Sequence, residues 1–167
     1  QKLNAKFDGC RFLGNTIVSS TQSGRLSFDS CEFHKLALFA STKFELPIFF
    51  EGTKFLQGSD FRQCYFAEFV SFRLAEFRRG PRFDATRFGA ASTFQKAEFW
   101  DDAFFSASTF CGDADFCGTK FYQGAFFTKG PDGDSQNIIA TQFKSNCAFD
   151  RSSFNERAHF PMLYFQN

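Results

Sequence analysis

The side chains that could perform nucleophilic or metal chemistry are few and widely separated in this 167-residue chain. Its only histidines, His34 and His159, stand near opposite ends of the sequence, so neither completes a Ser-His-Asp or Cys-His set. The six cysteines include no Cys-x-x-Cys pair, which is a spacing typical of zinc and redox sites. We therefore predict no catalytic residue, no metal site and no cofactor, and we do not expect an enzyme.

Neighbouring carboxylates are the remaining candidates for acid–base or ion-binding chemistry. The Asp101-Asp102 pair and the Asp113-Asp115 segment are predicted to lie at opposite corners of the repeat that the phenylalanines form, so they cannot act together as acid and base. The Asp132-Asp134 segment alternates carboxylates as a calcium loop does, but it lacks the closing carboxylate of an EF-hand. Ion binding at that segment is therefore left open.

Phenylalanine dominates the composition and supplies 30 of the residues, which is a bias that predicts internal repetition. The 19 Lys and Arg residues balance 18 Asp and Glu residues, and the net charge of +1 predicts neither a polyanion-binding nor an acidic surface overall. Apolar runs fall short of the roughly 20 residues that cross a bilayer, and the first residues do not resemble a signal peptide. We expect a soluble chain with no membrane span.

The phenylalanines form two interleaved series, and each series advances by eleven residues. The first series is Phe28, Phe39, Phe50, Phe61, Phe72, Phe83, Phe94, Phe105, Phe116, Phe127, Ile138, Phe149 and Phe160. The second series is Phe33, Phe44, Phe55, Phe66, Phe77, Phe88, Phe99, Phe110, Phe121, Asp132, Phe143, Phe154 and Phe165. Steps of alternately five and six residues match neither the 3.6-residue period of a helix nor the sustained two-residue period of a flat strand.

Small residues or cysteines stand two positions before most of these phenylalanines, as Thr53 stands before Phe55. Positions i−2 and i lie on one side of an extended segment, so both are expected to point inward. Cys10, Cys31, Cys64 and Cys147 occupy this column and are predicted to be core-filling free thiols, whereas Cys111 and Cys117 are predicted to face outward. Stacked short strands would then pile Phe upon Phe inside a solenoid.

Several segments carry a family resemblance: Ala97-Glu-Phe99, Gly52-Thr-Lys-Phe55 and Ala114-Asp-Phe-Cys-Gly-Thr-Lys-Phe121. They resemble the Phe-centred form of the pentapeptide-repeat family, over about residues 28–165. The resemblance implies an all-β, right-handed quadrilateral parallel β-helix with 22 residues per coil. Right-handed crossovers are also the general preference for parallel strands.

Residues 1–167 are expected to form one solenoid domain with two irregular parts. Residues 1–27 are predicted to form a distorted first coil, in which Ile17 keeps the eleven-residue register and Gln22 replaces a phenylalanine. Residues 129–137 are predicted to be an irregular loop that replaces one side of a coil, after which the register resumes unshifted at Ile138 and Phe143.

Two surface features are candidate binding sites. A period of 22 residues stacks Trp100 under Tyr122 and Phe104 under Phe126, which predicts one exposed aromatic edge for protein binding. The alternative is that stacked aromatics simply stabilise neighbouring strands. The other candidate is a basic patch, and its members are Arg73, Arg78, Arg79, Arg82 and Arg87. Its alternative is a solvated surface with mutual salt bridges.

These features favour a non-catalytic protein-interaction or scaffold solenoid, with a protein partner or a homodimer formed through the coil ends or the aromatic edge. One alternative, implied by the resemblance, is a DNA-mimicking inhibitor of the topoisomerase gyrase. Another is a soluble domain of a longer membrane or multidomain protein. Nucleic-acid binding through the arginines is less favoured by the net charge of +1. The reduced thiols predict a cytoplasmic location.

Overall fold

The computed structural model describes residues 4–128 and 140–160. This part of the chain contains β-strands and turns and no helix, and therefore no helix that could cross a membrane. Most strands are two residues long. In chain order the strands are β1 Ala5–Lys6, β2 Arg11–Phe12, β3 Thr16–Ile17, β4 Thr21–Gln22, β5 Leu26–Ser27, β6 Glu32–Phe33, β7 Ala37–Leu38, β8 Lys43–Phe44, β9 Ile48–Phe49, β10 Lys54–Asp60, β11 Tyr65–Phe66, β12 Val70–Ser71, β13 Glu76–Arg82, β14 Arg87–Phe88, β15 Ser92–Thr93, β16 Glu98–Phe99, β17 Ala103–Phe104, β18 Thr109–Phe110, β19 Ala114–Asp115, β20 Lys120–Phe121, β21 Ala125–Phe126, β22 Gln142–Phe143, β23 Cys147–Ala148, β24 Ser153–Phe154 and β25 Ala158–His159.

The strands stack in parallel, one coil upon the next, and form the four sides of a β-solenoid. Two sides are separate sheets, in the orders β1-β5-β9-β12-β15-β19-β23 and β4-β8-β11-β14-β18-β22. The other two sides merge into one sheet, because β10 and β13 run continuously around the corner between them. Phe55 pairs with Phe77 and Phe77 with Phe99, so the predicted period of 22 residues is confirmed in the middle of the rod.

The interior consists of phenylalanine stacks. Phe72 lies between Phe50 and Phe94, at centroid distances of 5.0 Å to each, with nearly parallel rings. It also meets Phe61 and Phe83 of the same series from across the core, edge to face, at 5.2 and 5.4 Å. Offset-stacked and edge-to-face contacts each add about 0.5–1.5 kcal/mol beyond the burial of the rings. The alternating five- and six-residue spacing therefore builds an aromatic core from nearly one residue type.

A tight turn follows the first-series phenylalanines from Phe28 to Phe116 and also Phe149, and it accounts for the five-residue step. Ser30, two residues after Phe28, has a positive φ of 56°, and the N–H of Cys31 donates to the carbonyl of Phe28 at 3.2 Å. Positive φ at the third residue is the mark of a type II turn. Glycine fills this position at Gly52 and Gly118, but Leu74 adopts φ 59° there and carries the steric strain of a side chain in the left-handed region.

The small polar residues before the second-series phenylalanines have a role beyond filling space. The hydroxyl of Thr53 donates to the carbonyl of Phe28 at 2.6 Å, and the thiol of Cys64 donates to the carbonyl of Phe39 at 3.0 Å. Each bond links one coil to the turn of the coil before it. Burial raises the pKa of the Cys64 thiol to about 12, so this group remains a protonated donor at neutral pH.

The first coil differs from the sequence prediction. Ile17 was expected to keep the inward register, but it pairs with the outward Leu38 and is 70% exposed, while Val18 packs against the core. The cause is a coil of 21 residues: Phe12 pairs with Phe33, and the turn after Val18 is one residue short. The prediction for Ile17 is therefore wrong.

The strand pairing after residue 128 also differs from the prediction. Phe143 pairs with Phe110, which is 33 residues earlier, and the N–H of Thr141 donates to the carbonyl of Phe127 at 2.9 Å as the next turn residue would. Phe143 keeps the predicted eleven-residue phase, but the expectation that the loop replaces one side of a coil is wrong, because eleven additional residues separate the two halves of this turn. Ile138 and the loop predicted at 129–137 lie outside the described residues.

The cysteines are all free, as predicted, but they are not equally buried. Cys31 and Cys64 are core residues, whereas Cys147 is partly buried and Cys10 is exposed. Cys10 has the expected column position, but it belongs to the first coil and has no described coil on its outer side. Its assignment to the core is therefore wrong.

Candidate functional site at one edge of the solenoid

The predicted aromatic edge belongs to the corner that links the two merged sides of the solenoid. We call this corner, with the outward residues beside it, the corner edge, and we number its seven passes from the N-terminal end of the rod. The passes are residues 12–17, 33–38, 55–60, 77–82, 99–104, 121–126 and 154–159. Each pass contains two outward positions, one directly after a second-series residue and one directly before a first-series residue.

The predicted aromatic stacking is present at passes 5 and 6. The rings of Trp100 and Tyr122 stack at a centroid distance of 4.3 Å, and those of Phe104 and Phe126 stack at 5.2 Å. His159 of pass 7 continues the second column and lies 5.2 Å from Phe126. The backbone sets these contacts, because the strands that carry the rings are paired in register.

The exposure of this patch is smaller than predicted. Trp100 is 38% exposed and Phe104 is partly exposed, but Phe126 is only 3% exposed. Its ring is covered by its two column neighbours and lies over Gly124, where an added Cβ would come within 2.4 Å of it. The prediction that all four aromatics are exposed is therefore wrong for Phe126, which supports the rings that solvent reaches.

Arginines of pass 4 cover the lower end of both aromatic columns. The guanidinium carbon of Arg78 lies 4.3 Å from the ring centroid of Trp100, and that of Arg82 lies 4.8 Å from the ring centroid of Phe104. Each cation–π contact of this kind contributes about 0.5–1 kcal/mol at exposed sites. Arg78 also bonds Glu76 at 2.8 Å, so both its charge and its flat face are engaged.

The five arginines of the predicted basic patch do not come together. Arg73 follows β12 and pairs with Glu51 at 3.6 Å, while Arg87 belongs to β14 and lies 5.8 Å from the ring centroid of Tyr65, on a different side of the solenoid. Only Arg78, Arg79 and Arg82 share the corner edge. Among these three, Arg79 is exposed and forms no ion pair within the described part of the chain.

Sequence inspection missed the aliphatic half of the same edge. Leu13 of pass 1 is 69% exposed, and Leu36 of pass 2 is 45% exposed. The methyl group of Leu36 lies over pass 3, within 3.0 Å of where a Cβ on Gly58 would be. Leu56 stands two coils below Trp100 in the same column, so the period of 22 residues was a signal that could have found this extension.

The acidic pair of pass 5 lies beside the arginines. A side-chain oxygen of Asp101 accepts from the backbone N–H of Gly80 at 3.1 Å, and one of Asp102 accepts from the N–H of Gly124 at 2.8 Å. These carboxylates fix the corner backbone across passes 4 to 6. Neither forms an ion pair with a described cation, so their negative charge is available on the corner edge.

The carboxylates at the two opposite corners stay apart, as the sequence predicts. Asp113 accepts from the hydroxyl of Ser145 at 2.6 Å, which lowers its pKa, and it lies on another corner than Asp101. Within residues 4–128 and 140–160, no group of three or more His, Cys, Asp or Glu side chains could hold a metal ion. The Asp132-Asp134 segment, for which ion binding was left open, lies outside the described residues.

Comparisons with models of protein families, with curated proteins and with solved structures found no match for this chain.

Proposed function

We propose that this chain is a non-catalytic protein-interaction and scaffold module, and that it binds its partner through the corner edge. The observation that carries the proposal is where the exposed apolar side chains lie. Seven large hydrophobic residues are exposed in the described chain: Phe7, Leu13, Ile17, Leu36, Leu74, Trp100 and Phe160. Phe7 and Phe160 belong to the inward stacks, at their two ends. Four of the other five lie on the corner edge.

The composition of the edge also suits binding. Clusters of exposed apolar side chains often mark interaction sites in soluble proteins. Trp, Tyr and Arg are the residues that most often dominate binding energies, and passes 4 to 6 present Arg78, Trp100 and Tyr122 in one column. A stacked parallel sheet beneath them holds these side chains in fixed positions, which lowers the entropy lost on binding.

The test compares two pairs of serine substitutions. Trp100→Ser with Phe104→Ser removes the exposed rings of the edge, while Leu74→Ser with Leu46→Ser changes apolar residues off the edge as a matched control. We expect affinity-purified partners, quantified by mass spectrometry, to be lost from the edge variant and kept by the control, because only the former removes the binding rings. Equal partner recovery by both folded variants would contradict the proposal.

We also propose that the chain belongs to the pentapeptide-repeat family. The phenylalanines spaced by five or six residues, the parallel β-solenoid and the coil of about 22 residues support this assignment. Within that family, inhibition of gyrase by DNA mimicry stays a prediction. Paired surface charges weigh against it, as in Asp60 with Arg62 at 2.6 Å and Glu98 with Lys120 at 2.9 Å. Unchanged supercoiling by gyrase at micromolar concentrations of this chain would rule out that inhibition.

The free cysteines support a reducing compartment, and we propose a cytoplasmic location for the chain. The alternative that it is part of a longer membrane or multidomain protein stays a prediction, and the length of the full gene product tests it.

A further inference from the structure

The charges and the apolar groups of the corner edge are ordered along the rod. Passes 1 to 3 carry aliphatic groups, including Leu36 and Leu56, beside the charged Lys35 of pass 2 and Asp60 of pass 3. Pass 4 is basic, with Arg79 exposed and without an ion pair among the described residues. Pass 5 is acidic through Asp101, and passes 5 and 6 carry the aromatic columns. The order from one end is therefore aliphatic, basic, acidic and aromatic.

Such an order is self-complementary when one copy is turned end for end. A two-fold interface brings the same patch of both subunits together, so residue i meets residue j and j meets i. If the axis lies in the interface, perpendicular to the rod and between passes 4 and 5, then pass 4 faces pass 5 of the other copy. Arg79 then faces Asp101, and Arg78 faces Trp100. The same operation places pass 3 against pass 6, and therefore Leu56 against Tyr122.

Other two-fold arrangements fit the edge less well. With an axis parallel to the rod, every pass would face the same pass of the other copy, so the basic pass 4 would oppose pass 4 and the acidic pass 5 would oppose pass 5. End-to-end stacking of the coils would leave the whole edge in contact with water. The observed charge order therefore favours the antiparallel arrangement among the two-fold pairings.

The available area is compatible with a specific dimer. The strands β10 and β13 run around the corner, and a seven-residue strand is about 20 Å long along its path. Six overlapping passes at about 4.8 Å extend about 29 Å, which gives at most roughly 600 Å² per copy. The total of roughly 1,200 Å² is at the lower end of specific protein interfaces.

We propose that the occupant of the corner edge is a second copy of this chain, bound antiparallel about a two-fold axis between passes 4 and 5. This inference rests on the proposed function, because it names the partner of the same edge. The basic and acidic passes set the register, and the aliphatic groups of passes 2 and 3 and the aromatic groups of passes 5 and 6 supply the buried apolar surface.

Sedimentation equilibrium of the 167-residue chain tests this with two charge substitutions. We expect a dimer of twice 19.1 kDa for the unaltered chain. Arg79→Glu and Asp101→Lys each place like charges opposite one another twice per dimer, so each should raise the dissociation constant at least tenfold. Lys96→Glu makes the same charge change as Arg79→Glu on another edge and should leave the constant unchanged.

Mixing the two edge variants gives the decisive comparison. In a mixed pair the introduced glutamate of one copy would face the introduced lysine of the other, and the unaltered Arg79 would face the unaltered Asp101. Heterodimers should therefore form from two variants that are monomeric alone. A zero-length carbodiimide should also join Lys35 of pass 2 to Glu156 of pass 7 between copies. Within one chain these side chains are five coils apart, about 24 Å, which is too far for such a bond.

Two results would overturn the proposal. One is an unaltered chain that stays monomeric at 100 µM. This concentration is on the order of one hundred times the dissociation constant of a micromolar complex. The other is a dimer that neither edge variant weakens, which would place the contact elsewhere. Loss of partner proteins from the Trp100→Ser, Phe104→Ser variant would still support the proposed function in either case, so the failures of the two proposals are distinguishable. Circular dichroism of each variant reports whether it is folded.

Discussion

The hydroxyl bonds between coils predict a specific loss of stability when one is removed. The hydroxyl of Thr86 is buried and donates to the carbonyl of Phe61 at 2.5 Å. That carbonyl also accepts the turn N–H of Cys64 at 3.2 Å, so it keeps one partner when the hydroxyl is replaced. Thr86→Val preserves shape and removes only the donor. We expect a loss of about 1 kcal/mol, the net worth of one internal hydrogen bond.

The small inward residues that stand two positions before the second-series phenylalanines, such as Thr86, also offer the reverse experiment. Ala75 is buried at an equivalent position but has no hydroxyl, and the carbonyl of Phe50 is where its donor would bond. Ala75→Ser should therefore gain up to about 1 kcal/mol if the serine reaches that carbonyl. For a chain of this size each kcal/mol corresponds to a shift of about 2–4 °C in melting temperature.

Thermal and urea unfolding, followed by circular dichroism and by the fluorescence of the single Trp100, measure both effects. Coincident transitions from the two probes would justify a two-state free energy. If Thr86→Val matched the unaltered chain while Thr86→Ala lost stability, the side chain would act by filling space and the bonding argument would be refuted.

Two further predictions concern the turns and the surface charges. Leu74→Gly should raise stability by about 0.5–1 kcal/mol in urea unfolding, because φ 59° strains any side chain there, whereas Leu36→Gly should lower it. Partial burial opposes ionisation of Asp60, yet bonds from Arg62 keep its pKa below the usual range. The stability that this ion pair contributes is present at neutral pH and is lost progressively as the pH falls through the lowered pKa of Asp60. Arg62→Ala should therefore cost about 0.5–1 kcal/mol at pH 7 and progressively less at acidic pH.

The sequence is sufficient to predict most of the core, because the phenylalanines of the two series recur at the same phase and point inward in each coil. Phe55, Phe77 and Phe99 are stacked one upon the next, as the period of 22 residues predicts. The spacing of residues does not reveal that a turn is one residue short when Ile17 and its neighbour Val18 are both apolar. The sequence therefore assigns to Ile17 the inward place that Val18 occupies. Hydropathy alone does not separate these two side chains.

The eleven additional residues escaped prediction for a different reason. Eleven residues are half a coil, so their insertion preserves the alternation of five and six, and Phe143 remains in phase while its partner changes to Phe110. The burial of Phe126 was missed for the same reason. A period of 22 residues places Ala148 over its ring, whereas the actual period of 33 places His159 there.

The corner edge could be predicted only in part. Stacking of Trp100 on Tyr122 follows from the period, because outward side chains one coil apart must be neighbours. Exposure does not follow from the period, since it depends on which neighbours lean over a side chain. The position of Leu36 over Gly58 is a detail of this kind.

The most direct test of the corner edge as an interaction surface is site-specific photo-crosslinking in living cells. Benzoylphenylalanine at position 56, on the edge, is compared with the same group at position 74, on a different corner. We predict a discrete crosslinked species from position 56 that disappears with Trp100→Ser and Phe104→Ser, and none from position 74. Equal crosslinking from both positions, or none from position 56 in a folded and expressed chain, would contradict the account.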